Sequence, residues 1–174
     1  MASEADAQFV RDALARYREP LLRFAASLVG PSQAPDVVQD TFLALCKASR
    51  QEVDAHLAPW LFRVCKNRAL DLRREQARLH SISEDEESPE SGPSSSVEKR
   101  ESLSRVQSIV EELPVHQKQA LLLKFSGGLS YKEIAEVMDL SVSNVGFILH
   151  TAIQKVREQL AAVETEPADV RSAL

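Results

Sequence analysis

Residues 130–145 read Ser-Tyr-Lys-Glu-Ile-Ala-Glu-Val-Met-Asp-Leu-Ser-Val-Ser-Asn-Val, and this stretch decides the fold. Ser130 and Glu133 stand three positions apart, which is the spacing of a capping box, so a helix is predicted to begin at Ser130. A short turn then leads to Ser141, which is placed to cap a further helix that runs to about residue 160. Two helices joined in this way predict a helix-turn-helix.

The second of these helices has an apolar face and a polar face. With about 100° of rotation per residue, four apolar positions return to one side and are expected to face the core. These positions are Val145, Leu149, Ala152 and Val156. In a helix-turn-helix the opposite face enters the major groove of DNA and meets base edges and phosphates. The residues on that face are Ser143, Phe147, His150 and Gln154, with Gly146, Thr151 and Arg157 at its margins.

The sequence before this motif also has a helical pattern. Hydrophobic residues make up 44% of the 174 residues, and 5 glycines with 5% aromatics disfavour a turn-rich β fold. Apolar residues recur at helical spacing from Phe9 to Leu28, and Gly30-Pro31 ends that pattern. Two further helices are predicted at about 35–48 and 55–79.

Residues 81–98 separate two helical regions. This segment has six acidic residues, no basic residue and almost nothing apolar to bury. Beyond it, a helix ended by Pro114 and another over Val115–Phe125 precede the helix-turn-helix. We therefore predict an all-α fold with a three-helix N-terminal domain, an acidic flexible linker and a four-helix C-terminal domain. The predicted bounds are 5–79 and 99–162 for the domains, 80–98 for the linker and 163–174 for a disordered tail.

The charge of the chain is unevenly distributed. A formal net charge of −5 by itself disfavours a nucleic-acid partner, yet Trp60 to His80 holds six basic residues against two acidic ones. On a helical wheel, one side of this segment is apolar and contains Leu57, Leu61, Val64, Cys65 and Leu72. The other side gathers Arg63, Lys66, Asn67, Arg73 and Arg74. A basic face that begins at Trp60 suits a DNA backbone with unstacked bases, and a solvated charged face is the alternative.

The sequence lacks the signatures of an enzyme, a metal site or a membrane protein. It has no Gly-rich phosphate loop, no metal-spaced His or Cys cluster and no nucleophile motif, so no cofactor and no small-molecule substrate is expected. Cys46 and Cys65 fall in apolar helical patterns, which favours reduced thiols. No apolar run reaches the roughly 18–20 residues that cross a bilayer, so a cytoplasmic protein without membrane insertion is expected.

Several segments resemble the conserved domains of extracytoplasmic-function sigma factors of bacterial RNA polymerase, in the order that this family uses. Residues 36–42, Asp-Val-Val-Gln-Asp-Thr-Phe, resemble its segment that docks on the polymerase clamp. Residues 60–74 resemble its segment that opens and reads the minus-ten element. Residues 128–135 resemble part of its domain that reads the minus-thirty-five element. The resemblance covers nearly all of residues 9–160 outside the linker.

The resemblance implies partners and individual residue roles. A factor of this kind is not an enzyme; it binds core RNA polymerase at the clamp and the flap, directs it to promoter DNA, and is held by an anti-sigma factor. The clamp contact would include Asp36, Gln39, Asp40 and Phe42. The minus-ten DNA would meet Trp60, Arg63, Lys66, Asn67, Asp71, Arg73 and Arg74. The minus-thirty-five DNA would meet Ser130, Tyr131, Ser141, Ser143, Asn144, Phe147, His150, Thr151 and Gln154.

The recognition helix departs from the family pattern. Members usually carry several Lys or Arg there, whereas here those places hold Gly146, Phe147, Ile148, Thr151 and Ile153. An alternative for this helix is that Ile148 and Ile153 widen its apolar side and bind a protein, such as an inhibitor or the polymerase flap. The alternative for the whole chain is a stand-alone helix-turn-helix regulator, which leaves the Trp60 segment unexplained.

Overall fold

The computed structural model describes the backbone of residues 4–80 and 99–165, and the side chains of 4–79 and 105–162. Within these ranges the regular elements are all helical, as the sequence predicts. The predicted linker beyond His80 and the predicted tail beyond Thr165 lie outside the described backbone.

The N-terminal half is built on three long helices. They are α1 (Glu4–Val29), α2 (Ala34–Lys47) and α4 (Leu57–His80), with a short α3 (Arg50–Val53) and a 3₁₀ turn (Asp54–His56) between the last two. The three long helices pack against one another. This is the predicted three-helix arrangement: α4 corresponds to the third predicted helix, whose first residues fall in the 3₁₀ turn, and α3 precedes it.

The first helix continues through a proline and ends at a glycine. Pro20 lies inside α1, where it removes one backbone donor without ending the helix. Gly30 has φ of 85°, a conformation that glycine adopts without steric cost, and it follows the last residue of α1. The side chains that α1 buries are Ala13, Tyr17, Leu21, Phe24 and Ala25.

The C-terminal half has four helices. They are α5 (Lys99–Glu111), α6 (Val115–Leu121), α7 (Tyr131–Met138) and α8 (Val142–Thr165). The chain continues from α6 into a π-helical turn, Leu122–Ser126, before it reaches α7. The first three of these helices all pack on α8, which is therefore the scaffold of this half.

The two halves contact each other and share one apolar core. The end of α6 with its π-helical turn packs on α1, and α7 packs on α4. The buried cluster runs without interruption from Leu21 and Phe24 in the N-terminal half to Leu129 and Leu149 in the C-terminal half. The sequence pattern predicts the helices of both halves but gives no signal of this contact.

Candidate nucleic-acid interface

The start of α7 is fixed by the capping box that the sequence predicts. Ser130 N–H donates to Oε2 of Glu133 at 2.7 Å, and Glu133 N–H donates to Oγ of Ser130 at 3.3 Å. The hydrogen bond from the Ser130 backbone lowers the pKa of the Glu133 carboxyl, and the Ser130 hydroxyl adds to this effect. Two backbone donors at the start of the helix are therefore satisfied, which fixes where α7 begins.

The turn between α7 and α8 is equally well defined. Asp139 follows α7 with φ of 56°, a left-handed conformation that Asp adopts more readily than most residues. Leu140 N–H donates to the Ala135 carbonyl at 2.9 Å, and Asn144 N–H donates to Oγ of Ser141 at 3.2 Å. Ser141 thus caps α8 as predicted. These contacts set the angle at which α8 leaves the turn.

The two faces of α8 lie where the sequence places them. Val145, Leu149 and Ala152 are fully buried, and Val156 packs on the same cluster. The outward face is open to solvent, and Phe147 is 69% exposed. The exposed predicted DNA contacts on α8 and at its cap are Ser141, Ser143, Asn144, Phe147, His150 and Gln154.

Two details of α8 bear on the sequence-based interpretation. Ile148 and Ile153 are partly buried and pack against the core, so they widen the apolar side of α8, and their binding of a protein stays a prediction. Thr151 is half-buried, and its hydroxyl donates to the Phe147 carbonyl at 2.9 Å. That hydrogen bond stays within the helix and leaves the hydroxyl oxygen as an acceptor.

A positive charge that the sequence pattern does not reveal lies beside the recognition helix. Nζ of Lys124 lies 5.4 Å from the ring centroid of Tyr131, which is a cation–π distance. Tyr131 in turn stands next to Gly146, because a Cβ built on that glycine would lie 3.8 Å from the Tyr131 ring. The π-helical turn brings Lys124 to this position, and no local periodicity predicts such a turn.

The basic face of α4 is only partly open. Arg63, Asn67, Asp71, Arg73 and Arg74 are exposed, whereas Leu61 and Cys65 on the opposite side are buried. Asp71 accepts from Nη1 of Arg74 at 3.2 Å, which orients one guanidinium along the helix. Trp60 is half-buried and packs against the core, so only part of its side chain is open to solvent.

Lys66 and Arg63 are engaged by the helix-turn-helix. Nζ of Lys66 donates to the Val137 carbonyl at 2.8 Å and to Oδ2 of Asp139 at 2.6 Å. Nη2 of Arg63 donates to Oε2 of Glu136 at 3.3 Å. The Lys66 ammonium, by its hydrogen bond and its charge, lowers the pKa of the Asp139 carboxyl.

The third candidate surface is the exposed side of α2. Asp36, Gln39 and Asp40 are exposed on one side of this helix, as a partner contact requires. Phe42 is 6% exposed and belongs to the core, so its assignment to the partner contact is corrected: burial leaves its ring no surface for a partner. Leu43, three positions after Asp40, lies on the same exposed side of α2 and is 49% exposed.

Both halves of the chain match the sigma-70 family. Residues 13–79 match the family described as "Sigma-70 region 2", and residues 103–156 match "Sigma-70, region 4". A curated relative, the ECF RNA polymerase sigma factor SigM of Bacillus subtilis (strain 168), is 29% identical over 147 residues, which cover 81% of this chain and 88% of that protein. The chain belongs to the extracytoplasmic-function sigma factors. It is therefore an RNA polymerase sigma factor and directs transcription from specific promoters.

Other relatives span both halves of this sigma factor. The RNA polymerase sigma factor CarQ of Myxococcus xanthus is 26% identical over 160 residues, covering 90% of this chain and 92% of that one. Among solved structures, CnrH in complex with the cytosolic domain of CnrY has a TM-score of 0.55 and 28% identity, with 90% of each chain covered. RpoE of Bartonella quintana, in complex with the anti-sigma factor NepR, has a TM-score of 0.65 and 23% identity, and the match covers 88% of this chain and 97% of that one. This likeness supports the fold.

The remaining features fit this family assignment. A stand-alone regulator would leave the match over residues 13–79 without explanation. Among the residues that the structure describes, no helix is long and apolar enough to cross a membrane, and no group of three acidic, His or Cys side chains could hold a metal ion. Of the two free thiols, that of Cys46 is exposed and that of Cys65 is buried.

Proposed function

We propose that the sigma factor divides its work among three exposed helix faces. The outward side of α2 binds the polymerase clamp, the basic side of α4 holds the opened minus-ten strand, and the outward side of α8 reads the minus-thirty-five element. The observation that carries this proposal is that α2, α4 and α8 each bury one stripe in the core and expose the opposite one. A buried stripe fixes the orientation of each helix, so the exposed stripe is rigidly presented.

The polymerase contact combines charge with one apolar anchor. The carboxylates of Asp36 and Asp40 lie on the same exposed side of α2 as Leu43. Carboxylates steer a helix toward a basic partner surface, while an exposed leucine supplies area that is removed from water on docking. The C-terminal half makes a second contact, with the polymerase flap.

The minus-ten contact uses polar groups on an otherwise basic face. Asn67 carries both a donor and an acceptor, so it can read the edge of an unstacked base, while Arg73 and Arg74 suit phosphates. Each unstacked base costs a few kcal/mol, which contacts on this face must offset. The factor performs no covalent chemistry, because polymerase makes the RNA.

The minus-thirty-five contact relies on few charges. Phe147 is exposed enough to pack on a thymine methyl, and His150 and Gln154 can donate to bases or phosphates. Ser130 and Tyr131 at the start of α7 suit the DNA backbone. Lys124 adds a cation near the start of the recognition helix, where residues 142–154 have none, which supports a backbone contact at this edge.

We further propose an inhibitory partner and a place of action. The two solved relatives were determined in complex with NepR, an anti-sigma factor, and with the cytosolic domain of CnrY, which supports an anti-sigma factor for this chain too. The factor acts in the cytoplasm, where bacterial polymerase and promoter DNA meet.

The test separates polymerase binding from strand opening. Asn67→Ala should leave binding to core polymerase unchanged and reduce opening at minus-ten bases, because loss of a bidentate base contact removes about 1–3 kcal/mol. Leu43→Ala should instead weaken polymerase binding. Gln159→Ala, an exposed amide on α8 outside the proposed faces, is the matched control and should change neither.

Binding is measured by fluorescence anisotropy with labelled factor, and opening by permanganate reactivity of unpaired thymines on a promoter that depends on the factor. Equal loss of binding and opening in Asn67→Ala would remove α4 from the minus-ten assignment. Unchanged binding in Leu43→Ala would remove Leu43 from the clamp contact.

A further inference from the structure

Two carboxylates of the helix-turn-helix form ion pairs with cations on the basic side of α4, the side proposed to hold minus-ten DNA. The ammonium of Lys66 is held between the Val137 carbonyl and the Asp139 carboxylate, and the guanidinium of Arg63 faces the Glu136 carboxylate. The Lys66 side chain is only 17% exposed, although it stands on the basic side of α4. An anion is therefore already bound where a DNA phosphate or base acceptor would have to lie.

An apolar contact supports the same approach of the two halves. Phe62 on α4 is fully buried, and its ring packs edge to face on Phe24 with centroids 5.3 Å apart. On the C-terminal side it meets Gly127, because a Cβ built on that glycine would lie 2.7 Å from Cε2 of Phe62 and 2.9 Å from Cδ1 of Leu129. The π-helical turn thus brings the backbone at Gly127 against an aromatic ring of the other half.

We propose that Glu136 and Asp139 act as an intramolecular substitute for minus-ten DNA. In the free factor they hold Arg63 and Lys66 in a closed arrangement, and the two halves must separate before these cations can take a nucleic-acid strand. This proposal rests on the assignment of Arg63 and Lys66 to promoter DNA made above. Closure of the molecule and binding of minus-ten DNA are then mutually exclusive.

The geometry makes this closed arrangement reversible. The Arg63–Glu136 pair is half-exposed on both sides, and the Asp139 carboxylate is largely exposed even though its lysine is not. Ion pairs with such exposure are weak and screened by salt, so a competing polyanion can displace them. Removal of both carboxylates frees Arg63 and Lys66 and should shift the balance toward the open arrangement without unfolding either half, while the apolar contact at Phe62 still favours closure.

The test variant is Glu136→Gln combined with Asp139→Asn. Glutamine keeps the helix propensity of α7, and asparagine tolerates the left-handed backbone at position 139. The control variant, Glu112→Gln with Glu158→Gln, makes the same change of net charge at two exposed positions of the same half. It corrects for any general gain in DNA affinity from the lost negative charge.

Closure is read by energy transfer in the full chain. One dye is placed on the exposed Cys46 and the other on a cysteine introduced by Lys155→Cys, another exposed position. Binding is read with a single-stranded oligodeoxynucleotide that carries the minus-ten sequence of a factor-dependent promoter. Circular dichroism confirms that each variant is folded.

We expect lower energy transfer in the interface variant alone, and an affinity for the oligonucleotide at least threefold above that of the control variant. Unchanged energy transfer would overturn the closed arrangement. Lower energy transfer with the affinity of the control would overturn the competition for Arg63 and Lys66. If adding Arg63→Ala and Lys66→Ala to the interface variant leaves its affinity for the oligonucleotide unchanged, the minus-ten assignment fails instead, and the energy transfer of the interface variant still reports on closure.

Discussion

Leu149 and Phe147 stand two residues apart on α8, and their replacement by alanine should have opposite consequences. Leu149 is fully buried, so Leu149→Ala leaves a cavity and should cost about 2–5 kcal/mol of the free energy of unfolding. Phe147 projects into solvent, and Phe147→Ala should stay within about 0.5 kcal/mol. The same helix thus carries one position for stability and one for recognition.

Urea unfolding followed by circular dichroism measures the difference. With a slope of about 2 kcal/mol per molar urea, Leu149→Ala should lower the midpoint by about 1–2.5 M, while Phe147→Ala should not move it. In transcription assays under conditions where both variants are folded, Phe147→Ala should have the larger defect. Transcription with this variant should no longer depend on the upstream promoter motif. A large destabilisation by Phe147→Ala, or a silent Leu149→Ala, would refute the assignment of the two faces of α8.

Three further predictions concern single positions. Burial raises the pKa of the Cys65 thiol to about 12, so in the folded chain a disulfide reagent should modify the exposed Cys46 and leave Cys65 untouched until urea unfolds the protein; simultaneous modification of both would contradict the packing. The pKa of Glu133 lies below its ordinary value, so the stabilisation from the capping box is present at pH above the ordinary glutamate pKa and is lost as the pH falls through the lowered pKa. A carbon-detected NMR titration of the Glu133 carboxyl should show the lowered pKa. Ser130→Ala should raise that pKa and lower the free energy of unfolding by about 1 kcal/mol. Gly127→Ala should destabilise the chain by about 1–3 kcal/mol in thermal unfolding, since its Cβ would meet three atoms closer than 3.0 Å, one of them on Phe62 of the other half, and unchanged stability would contradict this close packing.

The features that follow from local sequence were predictable. The capping box at Ser130 and the cap at Ser141 depend on residues three positions apart, and both are present. The buried stripe through Val145 and Leu149 follows from helical periodicity alone. Because this periodicity lies within α8, the inward and outward faces of the helix follow from its own sequence.

Features that depend on distant residues were not predictable. Phe42 lies next to the exposed Leu43 in sequence, and only the packing of α2 on its neighbours decides which of the two is buried. Phe62 falls outside the apolar stripe derived for α4, yet Gly127 and the π-helical turn bury it from the other half. Lys66 has the pattern of a solvated cation, and its partner Asp139 lies 73 residues away.

Run-off transcription tests the central claim, that this chain selects promoters for RNA polymerase, most directly. Purified core polymerase and the sigma factor are incubated with a library of promoter fragments, and the starts that require the factor are sequenced. We expect starts that share two upstream motifs, and we expect Phe147→Ala combined with His150→Ala to abolish the dependence on the upstream one. An absence of factor-dependent starts, while the protein alone still binds duplex DNA specifically, would contradict the central claim and leave residues 60–74 as a structural helix.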